Sequence, residues 1–347
     1  MNAEAKSART VVNDQAPVWI VVLHWGELAD TLHCLESLEQ LDYNNRHIVL
    51  VNNGSSPSPA PEVRRRFPAV HVIENGLNLG YAEGNNVGLR FALAQDAGFV
   101  WLLNNDTEMP ANTLTKLVGA VKADERIGMA CPAITSFFNH ALRYAPIIDW
   151  AGGTAGERLM PDEWQTSLDI DYASGCALLV KASVAQNIGL LDPDYFNYYE
   201  DVDWSLRCRR AGYRVLIVPE AQVYHKGTPD HTTHRSASLW YYYLRNQAIF
   251  LSRYMPWQQR PARLWGYTQS CLMQYQMALK DGDEDAAAAI LDGWWSGLTR
   301  RTGPVRTKIP AGAERLLRRH LTSALWLTAP WTEWRRRLSP SNLSRLV

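Results

Sequence analysis

The chain has 347 residues, 46% of them hydrophobic and 20% charged, with Lys+Arg and Asp+Glu both at 35, enough for one large domain with an appendage or for two domains. The zero net charge joins unlike parts: residues 300–347 carry eleven Lys/Arg against Glu314 and Glu333, a net of +9 that leaves −9 on residues 1–299. This excludes a uniformly basic nucleic-acid binder and sets apart a basic C-terminal attachment.

Residues 1–16 are polar, read as a disordered tail, and lack the apolar stretch of a signal peptide, so a cytoplasmic protein is expected. Val18 to Leu23 (VWIVVL) is a continuous apolar run of the buried-strand kind, and Leu32, Leu35, Leu38 and Leu41 follow at helical spacing. His47 to Val51 (HIVLV) is a second strand ending in the loop Asn52-Asn53-Gly54-Ser55-Ser56; a short basic helix around Arg64 to Phe67 comes next. Val70 to Glu74 reads as a third strand and Phe99 to Leu103 as a fourth, with the loop NLGYAEGNN and a helix from about Asn85 to Asp96 between them. Strands separated by helices imply crossover units and a mainly parallel sheet, whose ligands sit outside the carboxyl ends of the strands. Every polar loop so far follows a strand, so these loops converge on one edge.

From Cys131 to Asp171 the pattern loosens; order returns at Ala177 to Val180, at a helix through Trp204 to Arg210, and at the strand Arg214 to Val218. Residues 236–303 read as two or three aromatic-rich helices, an appendage to a domain at 17–235. Residues 304–347 combine Leu316, Leu317, Leu321, Leu325, Trp331 and Trp334 with arginines, the composition of an interfacial amphipathic helix; a helix packed on the enzyme or on a second copy of the chain is the alternative. The five cysteines are scattered, form no CxxC pair, and read as reduced thiols.

Four groups of residues could carry chemistry. Asp106 follows a buried strand, where a carboxylate can hold a divalent cation that also grips a diphosphate, or can simply cap the next helix. Glu200, Asp201 and Asp203 crowd three carboxylates into four residues; as the first turn of a helix they suit the dipole, and Asp203 with Arg207 makes an i,i+4 pair, but two preceding tyrosines suggest a walled cleft. His225 falls at a strand end on the side of Asp106. The loop around Gly80 could cradle phosphate or serve only as a turn.

Taken in order, VVLHW, VNNGSS, NLGYAEGNNVG, LLNNDT, SGCALLVK, FNYYEDVDWSLRCRRAGYRV, VYHKG and YYYLRN resemble the inverting glycosyltransferases of family 2, particularly their bacterial rhamnosyltransferase-like members, over about residues 17–250. The resemblance implies a GT-A fold: an α/β, Rossmann-like, mainly parallel sheet flanked by helices, here with a C-terminal helical extension. It implies donor contacts from His24, Asn52, Asn78, Gly80, Asn86, Asn104 and Asn105. Asn52 stands where the family usually has an Asp facing the nucleobase, and Asn104 where it has the first Asp of its DxD motif. Asp106 and His225 are implied as ligands of Mg2+ or Mn2+, and Asp201 as general base with Glu200 and Asp203 in support. Arg245 is expected either as a second cation for the diphosphate or as a helix-surface arginine.

The implied activity is transfer of a sugar, L-rhamnose from dTDP-L-rhamnose in the first place, from a nucleotide-diphosphate donor to a glycan or lipid-linked glycan in bacterial surface polysaccharide assembly. Another nucleotide hexose, or a non-catalytic carbohydrate-binding or assembly protein of the same fold, is the alternative. A homo-oligomer, no nucleic acid, and attachment of residues 304–347 to an anionic membrane surface on the inner face of the plasma membrane complete the expectations.

Overall fold

The computed structural model describes residues 15–140, 142–150, 153–161, 163–227, 236–305, 309 and 312. The tail expected at 1–16, apart from Gln15 and Ala16, and nearly all of the basic segment 304–347 lie outside the described residues.

Strands β1 (Val18–His24), β2 (Arg46–Asn52), β3 (His71–Glu74) and β4 (Phe99–Asn104) alternate with helices α1 (Leu28–Glu39), α2 (Ala60–Arg66) and α3 (Gly80–Leu93). They pair in parallel in the order β3-β2-β1-β4. The apolar run in β1 explains its central place. Val18, Ile20 and Val22 pack into one core layer and Trp19, Val21 and Leu23 into the layer on the opposite face, as a parallel strand covered by helices on both sides requires. The register sets His24 opposite Asn52, and Asn52 opposite Glu74. The polar carboxyl ends of the strands thus form one edge.

Beyond β4 the sheet becomes mixed. After β5 (Thr107–Glu108) and α4 (Thr113–Lys122) come β6 (Ile127–Ser136), the hairpin β7 (Arg143–Asp149) and β8 (Thr154–Leu159), and the short β9 (Leu168–Asp169). Strand β10 (Ala177–Lys181) inserts antiparallel between β4 and β6, α5 (Ala182–Ile188) and α6 (Glu200–Arg210) follow, and β11 (Arg214–His225) lies parallel to β6. Strand β6 is where the sequence pattern loosens. All but the last of its residues are buried, so no period of two shows, and Pro132 within it argues against a strand on sequence alone.

Helices α7 (Ala237–Tyr254), α8 (Arg260–Lys280) and α9 (Glu284–Leu298) form the appendage. A Cβ on Gly293 would meet the Tyr241 carbonyl oxygen at 2.6 Å and one on Gly297 the Ala248 Cβ at 2.7 Å, so two glycines one turn apart let α9 lie directly on α7. The core of these helices also takes in Tyr195, Tyr199, Val202 and Leu206. The appendage therefore shares its apolar interior with the segment that leads into α6.

Candidate active site

The carboxyl edge of the parallel strands carries a chain of asparagines. Asn52, 2% exposed, donates from Nδ2 to Glu74 Oε2 at 2.7 Å and to the Ser55 carbonyl, and its Oδ1 accepts from Ser55 N–H. Asn78 Oδ1 accepts from Gly80 N–H at 2.8 Å. Gly80 has φ +80°, and a Cβ there would meet the Phe196 carbonyl oxygen at 2.5 Å; only glycine permits that approach. Asn53, which sequence reasoning passed over, ties these pieces together. Its Nδ2 donates to Asn78 Oδ1 and the Gly80 carbonyl, and its Oδ1 accepts from Asn75 Nδ2 and Leu79 N–H. Its position as second of two asparagines after a strand was the available signal. His24 Nδ1 lies 2.7 Å from Thr31 Oγ1, which also accepts from Asn105 Nδ2 at 2.8 Å. Burial lowers the His24 pKa, with Glu74 opposing.

Asp106 and His225 come together as expected. Pairing of β5 with β11 sets His225 opposite Thr107, and Lys226 N–H donates to the Asp106 carbonyl. Asp106 Oδ1 lies 3.2 Å from His225 Nε2, Oδ2 accepts from Gly227 N–H at 3.1 Å, and Asn104 Nδ2 is 3.2 Å from the same imidazole nitrogen. Burial pushes Asp106 up, but the hydrogen bond and charge of His225 outweigh it and hold the carboxyl below its ordinary value. Burial likewise opposes the imidazolium, and the adjoining Cys176 and Asp106 raise His225 well above its usual range.

Among the described residues no three His, Cys, Asp or Glu side chains converge as a cation site. The Asp106 carboxylate would hold a Mg2+ or Mn2+ ion, and the His225 imidazole, once deprotonated, would add a nitrogen ligand that suits Mn2+ better than Mg2+.

Asp201 stands at the N-terminus of α6. The preceding Tyr198 and Tyr199 are both left-handed, φ +70° and +72°, a backbone that non-glycine residues adopt only when the surroundings impose it. Asn246 imposes it, donating from Nδ2 to the carbonyls of Tyr195, Asn197 and Tyr198. Asp201 Oδ2 then accepts from Gly175 N–H at 2.8 Å and Oδ1 from Val202 N–H at 2.8 Å. The Gly175 carbonyl accepts the Tyr81 hydroxyl, so this peptide is held from both sides. Burial raises the Asp201 pKa to about 6 against the pull of those two N–H groups. Burial and the charge of Asp201 push Glu200 well above the carboxylate range, and its Oε2 is buried without a partner.

Three expected site residues serve the scaffold instead. Asp203 is 3% exposed and accepts from Arg207 Nε at 2.8 Å and from the Tyr254 hydroxyl at 2.6 Å. Asn86 is buried against Leu191, bonding its carbonyl and N–H at 2.8 and 3.1 Å, which leaves it no reach to a nucleoside. Arg245 is fully buried and donates to the carbonyls of Gly303, Asp194 and Tyr195 and to Asn246 Oδ1. Its guanidinium cannot meet a diphosphate; it braces the turn that Asn246 holds.

Residues 19–186 match the model of glycosyl transferase family 2. The N-acetylglucosaminyl-diphospho-decaprenol L-rhamnosyltransferase of Mycobacterium tuberculosis is 29% identical over 62% of this chain and 78% of its own. The dTDP-rhamnosyl transferase RfbF of Shigella flexneri is 24% identical over 60% of this chain and 68% of its own. Among solved structures, GalNAc-T7 with UDP, GalNAc and Mn2+ aligns at TM-score 0.56 and 16% identity over 71% of this chain, which spans 50% of that one. The mannosyltransferase PcManGT of Pyrobaculum calidifontis, in complex with GDP-Man and Mn2+, aligns at 0.54 and 15% over 82% of this chain and 88% of its own. These two likenesses establish the GT-A fold. The family match runs from β1 through α5, so this part of the chain is a glycosyl transferase family 2 domain, set in a GT-A fold that extends past it.

Proposed function

We propose that the protein is an inverting glycosyltransferase that moves L-rhamnose from dTDP-L-rhamnose to a hydroxyl of a glycan or lipid-linked glycan during bacterial surface polysaccharide assembly. The observation that carries the chemistry is the placement of two groups on adjacent residues. Asp201 hangs from the Gly175 amide, and the next residue, Cys176, lies against the His225 imidazole that pairs with Asp106. A base and an anion-facing pair thus flank one short segment.

In this reading Asp201, raised to about 6, is ionised at neutral pH yet basic enough to accept the acceptor hydroxyl's proton as that oxygen attacks the anomeric carbon. The bond to the diphosphate breaks on the opposite face, so the configuration inverts and no covalent sugar intermediate is needed. Asp106 and His225 face the departing phosphates. A Mg2+ or Mn2+ ion held there would supply the positive charge that the leaving diphosphate requires. The asparagine-lined edge from His24 and Asn52 to Asn78 and Gly80 binds the nucleoside. Rhamnose as the donor sugar is supported by the names of the relatives, the rhamnosyltransferase WbbL of Escherichia coli among them at 21% identity.

Among the described residues no helix is long and apolar enough to cross a membrane. Contact with an anionic membrane surface is assigned in this reading to residues 304–347; equal flotation of the full chain and of residues 1–303 with phosphatidylglycerol vesicles would refute it. The activity is tested by incubating the protein with a panel of nucleotide sugars and Mg2+, Mn2+ or EDTA. Metal-dependent release of nucleoside diphosphate from dTDP-L-rhamnose alone is the expected result, and preference for another nucleotide hexose would overturn the donor assignment.

A further inference from the structure

Among the described residues strand β8 pairs with β7 alone, so its outer edge is open in the sheet. Tyrosines from elsewhere in the chain close it. Ala155 N–H donates to the Tyr199 hydroxyl oxygen at 3.3 Å, the Tyr243 hydroxyl donates to the Ala155 carbonyl at 2.7 Å, and the Tyr172 hydroxyl donates to the Gly156 carbonyl at 2.6 Å. Such backbone groups on an edge strand need partners when they are buried. These bonds pin the strand immediately before Glu157. Glu157 Oε1 accepts the Ser174 hydroxyl at 2.9 Å, and Ser174, 6% exposed, immediately precedes the glycine whose N–H holds the Asp201 carboxylate.

We propose that Glu157 is a positioning residue of the transfer reaction, acting through Asp201: it anchors Ser174, and with it the Gly175 amide on which Asp201 rests, and sets a second carboxyl group near the first. This rests on Asp201 being the base.

The surroundings of Asp201 show why the charge of Glu157 matters. Burial is the main cause of the raised Asp201 pKa, the Gly175 and Val202 N–H groups oppose it, and Glu157 raises it again. The other titratable groups that interact with Asp201 are Glu200 on α6, Tyr81 on α3, Tyr172 before β10, and Cys131 on β6. Burial pushes each of these up. Glu157 comes from a strand remote in sequence from the acidic cluster.

The experiment labels the protein with carboxyl-13C aspartate and follows the Asp201 resonance, identified by its loss in Asp201→Asn, as a function of pH. In Glu157→Gln the amide oxygen still accepts from Ser174 while the charge is gone, so the midpoint should fall by roughly 0.5 to 1 pH unit. The acid limb of kcat with dTDP-L-rhamnose should move the same way, and Glu157→Asp should restore both toward wild type. Ser174→Ala keeps the charge but frees the peptide, so it should hold the midpoint and lower kcat. An Asp201 midpoint unchanged in Glu157→Gln would overturn the proposal. Full turnover in Asp201→Asn would instead remove the base assignment, a separate failure that the resonance shift does not depend on.

Discussion

Asp201 hangs from Gly175: the Gly175 N–H donates to Asp201 Oδ2 at 2.8 Å while the carbonyl of the same glycine takes the Tyr81 hydroxyl. A Cβ at position 175 would sit 3.1 Å from the Tyr81 hydroxyl oxygen and 3.3 Å from the carboxylate. The glycine keeps the Asp201 carboxylate close to a backbone donor without a side chain between them. One residue on, Cys176 lies against His225, so the separation between Asp201 and the Asp106–His225 pair is set by two consecutive residues of one strand entry.

Asp201→Asn should therefore abolish catalysis without disturbing the site. The asparagine oxygen still accepts from Gly175 N–H, but the side chain takes no proton. A positioned general base is worth about 10²- to 10⁴-fold, and a loss of that size in kcat is expected, with donor affinity by calorimetry unchanged. A loss in donor affinity with kcat intact would assign Asp201 to binding.

The raised pKa carries a stability sign. Asp201 binds its proton more tightly folded than unfolded, since its value rises to about 6 from 3.8. Its contribution to stability is thus complete below the unfolded value and is lost as pH rises through about 6. At pH 8 the wild type holds a buried charge that Asp201→Asn lacks. The variant should melt higher than wild type at pH 8 and the difference should shrink toward pH 4, the reverse of what loss of a structural salt bridge gives. The activity of the wild type should fall below pH 6 as the base becomes protonated.

Asn52 and Glu74 form a second linked pair. The amide of Asn52 donates to Glu74 Oε2 at 2.7 Å, so an aspartate at 52 would set two carboxylates face to face. Asn52→Asp should lower the melting temperature at pH 8 and weaken donor binding, with Glu74→Gln restoring part of both. The coupling between the two changes is expected at about 1–3 kcal/mol in a double-mutant cycle, and additivity would show that the contact carries no energy.

The parts legible in the sequence are those written locally. The runs VWIVVL and FVWLL announce buried strands, and Asp106, Asp201 and His225 follow or precede elements whose ends meet at one edge. Glu157 was not legible: it lies on an edge strand that carries no motif and meets Ser174 only through the fold. Ser174 and Asn246 stand inside SGCALLVK and YYYLRN, but the local pattern says nothing of the distant groups they brace. Asp203 and Arg245 misled for the same reason. A charged residue next to a reactive one is read as its helper, but one helical position turns a side chain about 100° away, and both were claimed by carbonyls or side chains some fifty residues distant.

The pair Asp106 and His225 should bind a divalent cation weakly by itself and well with nucleotide. Two protein ligands leave most of the shell to phosphate and water. Mn2+ titrated into the protein should bind measurably tighter with dTDP present, and Asp106→Ala should remove that enhancement while dTDP binding persists at reduced affinity. EDTA should stop donor turnover, and Mn2+ should restore it in wild type and fail in Asp106→Ala.

Arg245 tests the scaffold reading against the diphosphate one. Arg245→Ala leaves the carbonyls of Gly303, Asp194 and Tyr195 without the guanidinium they now share. Asn246 and the Gly303 N–H still serve the Tyr195 and Asp194 carbonyls, so the Gly303 carbonyl is the one left bare; an unsatisfied buried acceptor costs about 1–3 kcal/mol, a fall of roughly 1–4 °C in Tm for a chain of this size. Lysine cannot reproduce a planar fork that reaches separate acceptors, so Arg245→Lys should recover little of it. Because Asn246 and Arg245 together hold the turn into α6, the folded fraction should also lose kcat. Nucleotide affinity should stay within a factor of about two, far short of the tenfold loss that 1.4 kcal/mol of missing charge on a phosphate would cause. A variant with wild-type Tm and weakened diphosphate binding would return Arg245 to the donor site.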